Sequence, residues 1–111
     1  MATEFIKLIK DKYGNDRELY CSTYEDYKCY HYSTELVNDV WHNIDDLPCY
    51  YDKSGHKSWF EHDRKHRLNG PAVQRKDGSL EWYIDGEFLG ASEEGYTQEK
   101  FAQYKKLLSF L

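Results

Sequence analysis

Between Asp77-Gly78 and Asp85-Gly86 the chain alternates strictly: Leu80, Trp82 and Ile84 point one way, Glu81 and Tyr83 the other. A period of two marks a half-buried β-strand, and each flanking Asp-Gly predicts a tight hairpin turn, which needs positive φ. One unit earlier, His56-Lys57-Ser58-Trp59-Phe60-Glu61 follows the turn signal Lys53-Ser54-Gly55. Only Trp59 is apolar on its inward side, beside Lys57 and Glu61. Residues 18–32 alternate irregularly around Tyr20, Tyr24, Tyr27, Tyr30 and Tyr32 and predict one or two strands. The two ends read as helices. Thr3 is placed to cap one with Phe5, Leu8, Ile9 and Tyr13 on a single face and Gly14 as its stop. Thr97 is placed to cap another with a stripe of Phe101, Tyr104, Leu107, Leu108 and Leu111. From Ser33 to Trp41 two readings stay open. One is a helix capped by Ser33 or Thr34 and carrying Leu36, Val37, Val40 and Trp41; the other is a strand.

Pro48, Gly55 and Trp59 reappear 23 positions later as Pro71, Gly78 and Trp82. Self-similarity at such a period predicts hairpins that stack, because one unit alone cannot bury its apolar face. The structural positions of the repeat are Pro48, Gly55, Trp59, Gly70, Pro71, Gly78, Trp82 and Gly86. The expectation is one α+β domain, an antiparallel sheet of repeated hairpins flanked by an N-terminal and a C-terminal helix. Residues 1–41 form the N-terminal helix and Tyr-rich strands, 42–90 the hairpin repeats and 91–111 a capping helix.

Composition narrows the function more than it names it. Aromatic residues are 17% of the chain, with 11 Tyr against 5 Phe, which suits a surface half apolar and half wet. The net charge of −5 argues against free DNA or RNA as a partner, since phosphate binding normally uses a basic patch. Cys21, Cys29 and Cys49 have neither the even number of a disulfide framework nor a CxxC spacing. No apolar run approaches membrane-spanning length and the first residues lack a signal peptide's apolar stretch, so a reducing cytoplasm is expected.

His66-Arg67-Leu68-Asn69-Gly70-Pro71-Ala72, Asp77-Gly78 and Trp82-Tyr83-Ile84-Asp85-Gly86 together resemble the "HRxxGPA…G…WYxxG" repeat, a MORN-like hairpin of bacteriophage and giant-virus proteins. His42-Asn43-Ile44-Asp45-Asp46-Leu47-Pro48-Cys49 is similar to the longer variant, in which "DLPA" replaces "GPA". Asn43 stands where the family has Arg and Cys49 where it has Ala, and Glu87-Phe88-Leu89-Gly90 brings no new His-Arg pair. The resemblance covers about half the chain and implies a repeat fold and a viral source. It implies no activity.

Few residues suggest chemistry. His66-Arg67 is either a cation pair for phosphate or carboxylate or a structural joint. As a joint, His66 bonds the Asn69-Gly70-Pro71 turn and Arg67 stacks on a Trp; recurrence in successive units favours that reading. His56, His62 and His66 with Asp52, Glu61 and Asp63 lack the tight spacing of a metal site. Ser22, Ser54, Ser79, Ser92 and the cysteines sit in no nucleophile elbow, and no glycine-rich phosphate loop is present. If Trp59 and Trp82 are core, alternation leaves Phe60 and Tyr83 facing outward.

The candidate binding set is therefore Tyr50, Phe60, Tyr83, His66, Arg67 and Asp85, with no cofactor and no metal. The expected function is a non-enzymatic viral protein that blocks a host factor, such as an antiviral defence component, by protein–protein contact in the host cytoplasm. The alternative is sequestration of a small nucleotide signal through aromatic stacking and phosphate contacts from Arg67 and Lys76, in an oligomer. A structural repeat module and an enzyme come after these.

Overall fold

The computed structural model describes residues 1–110. It begins with a strand, β1 (Ala2–Lys10), where the sequence suggested a helix. β1 pairs antiparallel with β2 (Asp16–Thr23), and a bulge between Phe5 and Lys7 shifts the register. Phe5 consequently faces Tyr20, and Leu8 faces Glu18. Partners two apart share a face, so a spacing of three along the bulged strand lands on one side of the sheet and imitates a helical stripe. Gly14 (φ 84) closes a hairpin rather than a helix. In that hairpin the Asp11 carboxylate accepts from the Tyr13 and Asn15 N–H groups and from Arg17. Burial raises the Asp11 pKa, but these bonds outweigh it and hold the group at about 2.

A turn at Tyr24, whose N–H donates to Tyr27, leads into β3 (Tyr27–Tyr32). The segment 33–41 becomes a turn in which the Thr34 hydroxyl accepts from Leu36 and Val37 N–H, then a short strand β4 (Val40–Trp41) on β3. The rest comprises β5 (Tyr50–Asp52), β6 (Lys57–Ser58), β7 (Phe60–Glu61), β8 (Arg64–Lys65), β9 (Val73–Gln74), β10 (Leu80–Ile84) and β11 (Glu87–Ala91). One antiparallel sheet runs β1-β2-β3-β5-β6-β9-β10-β11, with β4 beside β3 and β7-β8 as a separate ribbon.

Ladder pairs coincide at the spacing of the sequence repeat. Tyr50 faces Ser58 and Tyr51 faces Lys57; 23 residues on, Val73 faces Glu81 and Gln74 faces Leu80. Phe60 faces Lys65 and Glu61 faces Arg64, as Tyr83 faces Phe88 and Ile84 faces Glu87. The bonds Asp52 N–H to His56 C=O and Gly55 N–H to Asp52 C=O return as Arg75 to Ser79 and Gly78 to Arg75. His62 and Asp63 adopt positive φ at the positions equivalent to Asp85 and Gly86, although neither is glycine.

Residues facing one another share a side, so Cys29, Tyr50, Ser58, Val73, Glu81 and Ala91 make one row across the sheet. The opposite side holds Trp82, and the loops around residues 46 and 67 and the helix α1 (Gln98–Leu108) close over it. Trp59 and Trp82 are 3% and 2% exposed, and Leu19, Cys49, Ala72 and Phe101 are fully buried. Trp59 Nε1 donates to the Asp46 carbonyl (2.9 Å) and Trp82 Nε1 to Gln98 Oε1 (3.1 Å). Gly90, opposite Trp82, leaves room for the Tyr96 ring; a Cβ there would overlap Tyr96 Cδ1 and Cγ.

Thr97 caps α1 by accepting from Lys100 N–H. The helix buries only the start of its expected stripe. Phe101 is enclosed and Tyr104 half-buried, whereas Leu107 and Leu108 are exposed. Leu111, also assigned to the stripe, lies outside the described residues. The fold is a sheet-rich α+β arrangement with its described helix at the C-terminal end. No helix among the described residues is long and apolar enough to cross a membrane.

Candidate binding surface

The side of the sheet away from α1 carries a continuous row of rings. Tyr24 stacks on Tyr27 (4.4 Å between centroids), and Tyr27 meets Tyr50 at 5.4 Å. Tyr50 stacks on Trp41 (5.6 Å, 10°), and Trp41 meets Phe60 edge-on (5.1 Å, 87°). The row follows from register. Tyr27 and Tyr50 lie on one side because they face Asp52 and Cys29, and Trp41 joins them opposite His31. Farther along, Tyr83 pairs with Phe88 (5.4 Å), with the Lys65 ammonium 5.0 Å above its ring.

Between the rings and the neighbouring strands runs a groove of about 530 Å³. Trp41, Tyr50 and Phe60 line it along with Lys65 and Arg75, and Ser58 and Val73 are its buried residues. The acids on and beside it, Asp52 and Glu81, are already engaged. Asp52 accepts from the Ser54 hydroxyl and N–H, from His56 N–H and from the Tyr50 hydroxyl. The Ser54 hydroxyl, against the effect of burial and with the help of His56 and Tyr50, holds its pKa at about 2. Glu81 meets Arg75 Nη1 at 2.8 Å, and His56 Nε2 lies 2.9 Å from the Ser58 hydroxyl.

The six residues singled out from the sequence do not form one site. Tyr50, Phe60 and Tyr83 share the open side. Arg67 lies on the other, its guanidinium carbon 3.8 Å from the centre of the Trp59 ring. Its Nε and Nη2 donate to the Asp46 carboxylate (3.0 and 3.2 Å) and its Nη1 to the Pro71 carbonyl (3.2 Å). Every guanidinium nitrogen is thus committed to the fold. Gly70 allows the arrangement, since a Cβ there would sit 3.0 Å from Arg67 Nη1. Lys76 lines an adjoining depression at the hairpin tips with Ser54 and Asp77, which shares Asp52, His56 and Arg75 with the groove.

His66 bonds a different turn from the expected one. Its Nδ1 accepts from Asp85 N–H (2.9 Å) and its Nε2 lies 3.3 Å from Glu61, so it joins its own unit to the next hairpin. The same joint exists one unit earlier, where His42 Nδ1 accepts from His62 N–H (3.1 Å). In parallel, Asn43 N–H donates to Phe60 C=O and Asp63 N–H to Trp41 C=O, as Arg67 does to Tyr83 and Gly86 to Lys65. Burial, reinforced by the neighbouring His62, pushes the His42 pKa down to about 4, which keeps the acceptor nitrogen free.

His56, His62 and His66 therefore go to separate partners, His62 Nδ1 lying 3.0 Å from the Tyr32 hydroxyl. Sequence reading passed over one connected string, in which the Ser22 hydroxyl lies 2.7 Å from His31 Nε2 and His31 Nδ1 lies 3.4 Å from Asp39. Its connectivity is that of a nucleophile, a base and an orienting acid. Ser22 is only 3% exposed and also bonds Thr3 (3.1 Å), so the string ties neighbouring strands together and offers no hydroxyl to a substrate.

The chain matches no protein family, no curated protein and no solved structure. Trp41, Tyr24 and Tyr27 are the surface's unanticipated members, and only the strand register brings them into line with Tyr50 and Phe60.

Proposed function

We propose that this chain is a binding module without catalytic activity that docks a protein partner on the open aromatic side of its sheet. The observation that carries the reading is the unbroken row Tyr24, Tyr27, Tyr50, Trp41 and Phe60, left uncovered by α1. Such half-exposed Tyr and Trp rings supply large contact area at little entropic cost. The molecule measures 39 × 36 Å across its two longer axes, so one broad side accommodates the roughly 800 Å² per partner of a standard interface. A net charge of −5 steers a basic partner toward the chain as a whole.

The shared register of the hairpins supports reading residues 42–90 as MORN-like repeats. In the viral setting that this resemblance implies, the partner is a host protein, an antiviral defence component blocked by occlusion in the host cytoplasm. The test is co-expression with a panel of purified-tag defence proteins, followed by affinity measurement on the complex recovered. Tyr27→Ala and Tyr50→Ala should weaken that complex at least tenfold while the circular-dichroism spectrum stays unchanged. A complex indifferent to both changes but lost on Leu107→Glu, on the exposed part of α1, would overturn the reading.

A further inference from the structure

The groove at the Phe60 end of the row has a chemistry of its own. In a chain of net charge −5 it presents two cations, while the carboxylates beside it are spent on internal bonds. The Lys65 ammonium has no hydrogen-bond or ion-pair partner among the described residues and rests over Tyr83. Arg75 uses only Nη1 toward Glu81, and its side chain is 42% exposed. We propose that this groove binds a planar aromatic ring bearing an anionic group, the chemistry of a free nucleotide.

Each part of the groove has a use in that complex. The rings of Trp41, Tyr50 and Phe60 supply a stacking wall, which every base can use because every base has a π face. Lys65 and the free nitrogens of Arg75 meet the phosphate by charge-assisted hydrogen bonds. Ser58 and His56, bonded to each other, close the floor of the groove. The volume of about 530 Å³ falls within the roughly 300–1,000 Å³ of small-molecule sites. A polymer is disfavoured, because a strand would carry its further phosphates past a surface of net negative charge. This site uses neither Arg67, which is on the other side of the sheet, nor Lys76; it shares Trp41, Tyr50 and Phe60 with the docking row, so a nucleotide and a protein partner would compete for those three rings.

Calorimetric titration of the intact chain with AMP and with cyclic AMP tests the assignment, together with Trp fluorescence. Trp59 and Trp82 are buried, so a ligand stacking here quenches Trp41. The expected result is saturable binding with quenching that disappears in Trp41→Phe. Lys65→Gln, Arg75→Gln and Phe60→Leu should each weaken affinity about tenfold, the loss of one charged or stacking contact. Adenosine and inorganic phosphate, each lacking half of the recognised chemistry, should bind at least tenfold more weakly than AMP. Tyr27→Ala should leave the titration unchanged, so loss of protein docking and loss of nucleotide binding are separable. The proposal is overturned by no heat or quenching at millimolar nucleotide, or by equal affinity for adenosine or phosphate. It is equally overturned by quenching that survives in Trp41→Phe, by affinity unaffected by all three groove variants, or by binding confined to a single-stranded oligonucleotide.

Discussion

Arg67 separates a structural from a ligand-binding role most sharply. Its side chain is 16% exposed, it grips Asp46 through Nε and Nη2, and it covers the Trp59 ring at 3.8 Å. Replacement by alanine removes charge-assisted hydrogen bonds worth about 1.5–3 kcal/mol in typical cases and a partly desolvated cation–π contact worth ~1 kcal/mol. It also withdraws the guanidinium that leads in holding the Asp46 pKa below its ordinary value. These effects overlap, and about 2–4 kcal/mol of lost stability is expected for Arg67→Ala. Arg67→Lys keeps the charge but neither the fork nor the flat stack, so about half of that loss should remain. Urea unfolding followed by Trp fluorescence measures both variants, with a common m-value showing that the unfolded state is unchanged. A loss below about 0.5 kcal/mol for Arg67→Ala, the scale of an ordinary surface change, would refute the clamp.

Gly90→Ala should destabilise by more than about 2 kcal/mol, since the new methyl meets the Tyr96 ring backed by Trp82; thermal melting checks this. Acid sensitivity should follow His42. Its folded pKa of about 4 lies below the ordinary 6.5, so its contribution is complete above pH 6.5 and is lost as pH falls toward 4. Partial exposure limits the loss to about 1 kcal/mol, and His42→Asn should flatten the stability curve between those pH values. All three cysteines are buried, and burial pushes the Cys49 thiol up to about 12. Native protein should therefore resist a thiol-reactive disulfide reagent that labels it fully in denaturant.

Local signals were legible in the sequence where local rules decide the conformation. The Asp85-Gly86 turn, the alternation of β10, the Thr97 cap and the stacking of Arg67 on a Trp all rest on neighbours or on the repeat itself. The N-terminal strand reads as a helix because its bulge places Phe5 and Leu8 on one side, a phase that a window of sequence shares with a helix. Sequence proximity points His66 to the nearest turn, but its partner Asp85 is brought in by the packing of the following hairpin. The aromatic row depends on which strands are neighbours, since Tyr27, Trp41 and Phe60 belong to three segments separated by loops. Gly90 gave no signal because the ring that demands it comes from Tyr96, beyond the strand's end.

The imidazole joints have a consequence for how such a chain can change length. His42 and His66 make the same bond to the following turn, and β5-β6 and β9-β10 pair in the same register. A block of 23 residues could be duplicated or excised in frame with every junction finding an equivalent mate, so a single recombination event would widen or narrow the exposed surface by one step. Contact area would then change in whole hairpin units while the fold stays the same.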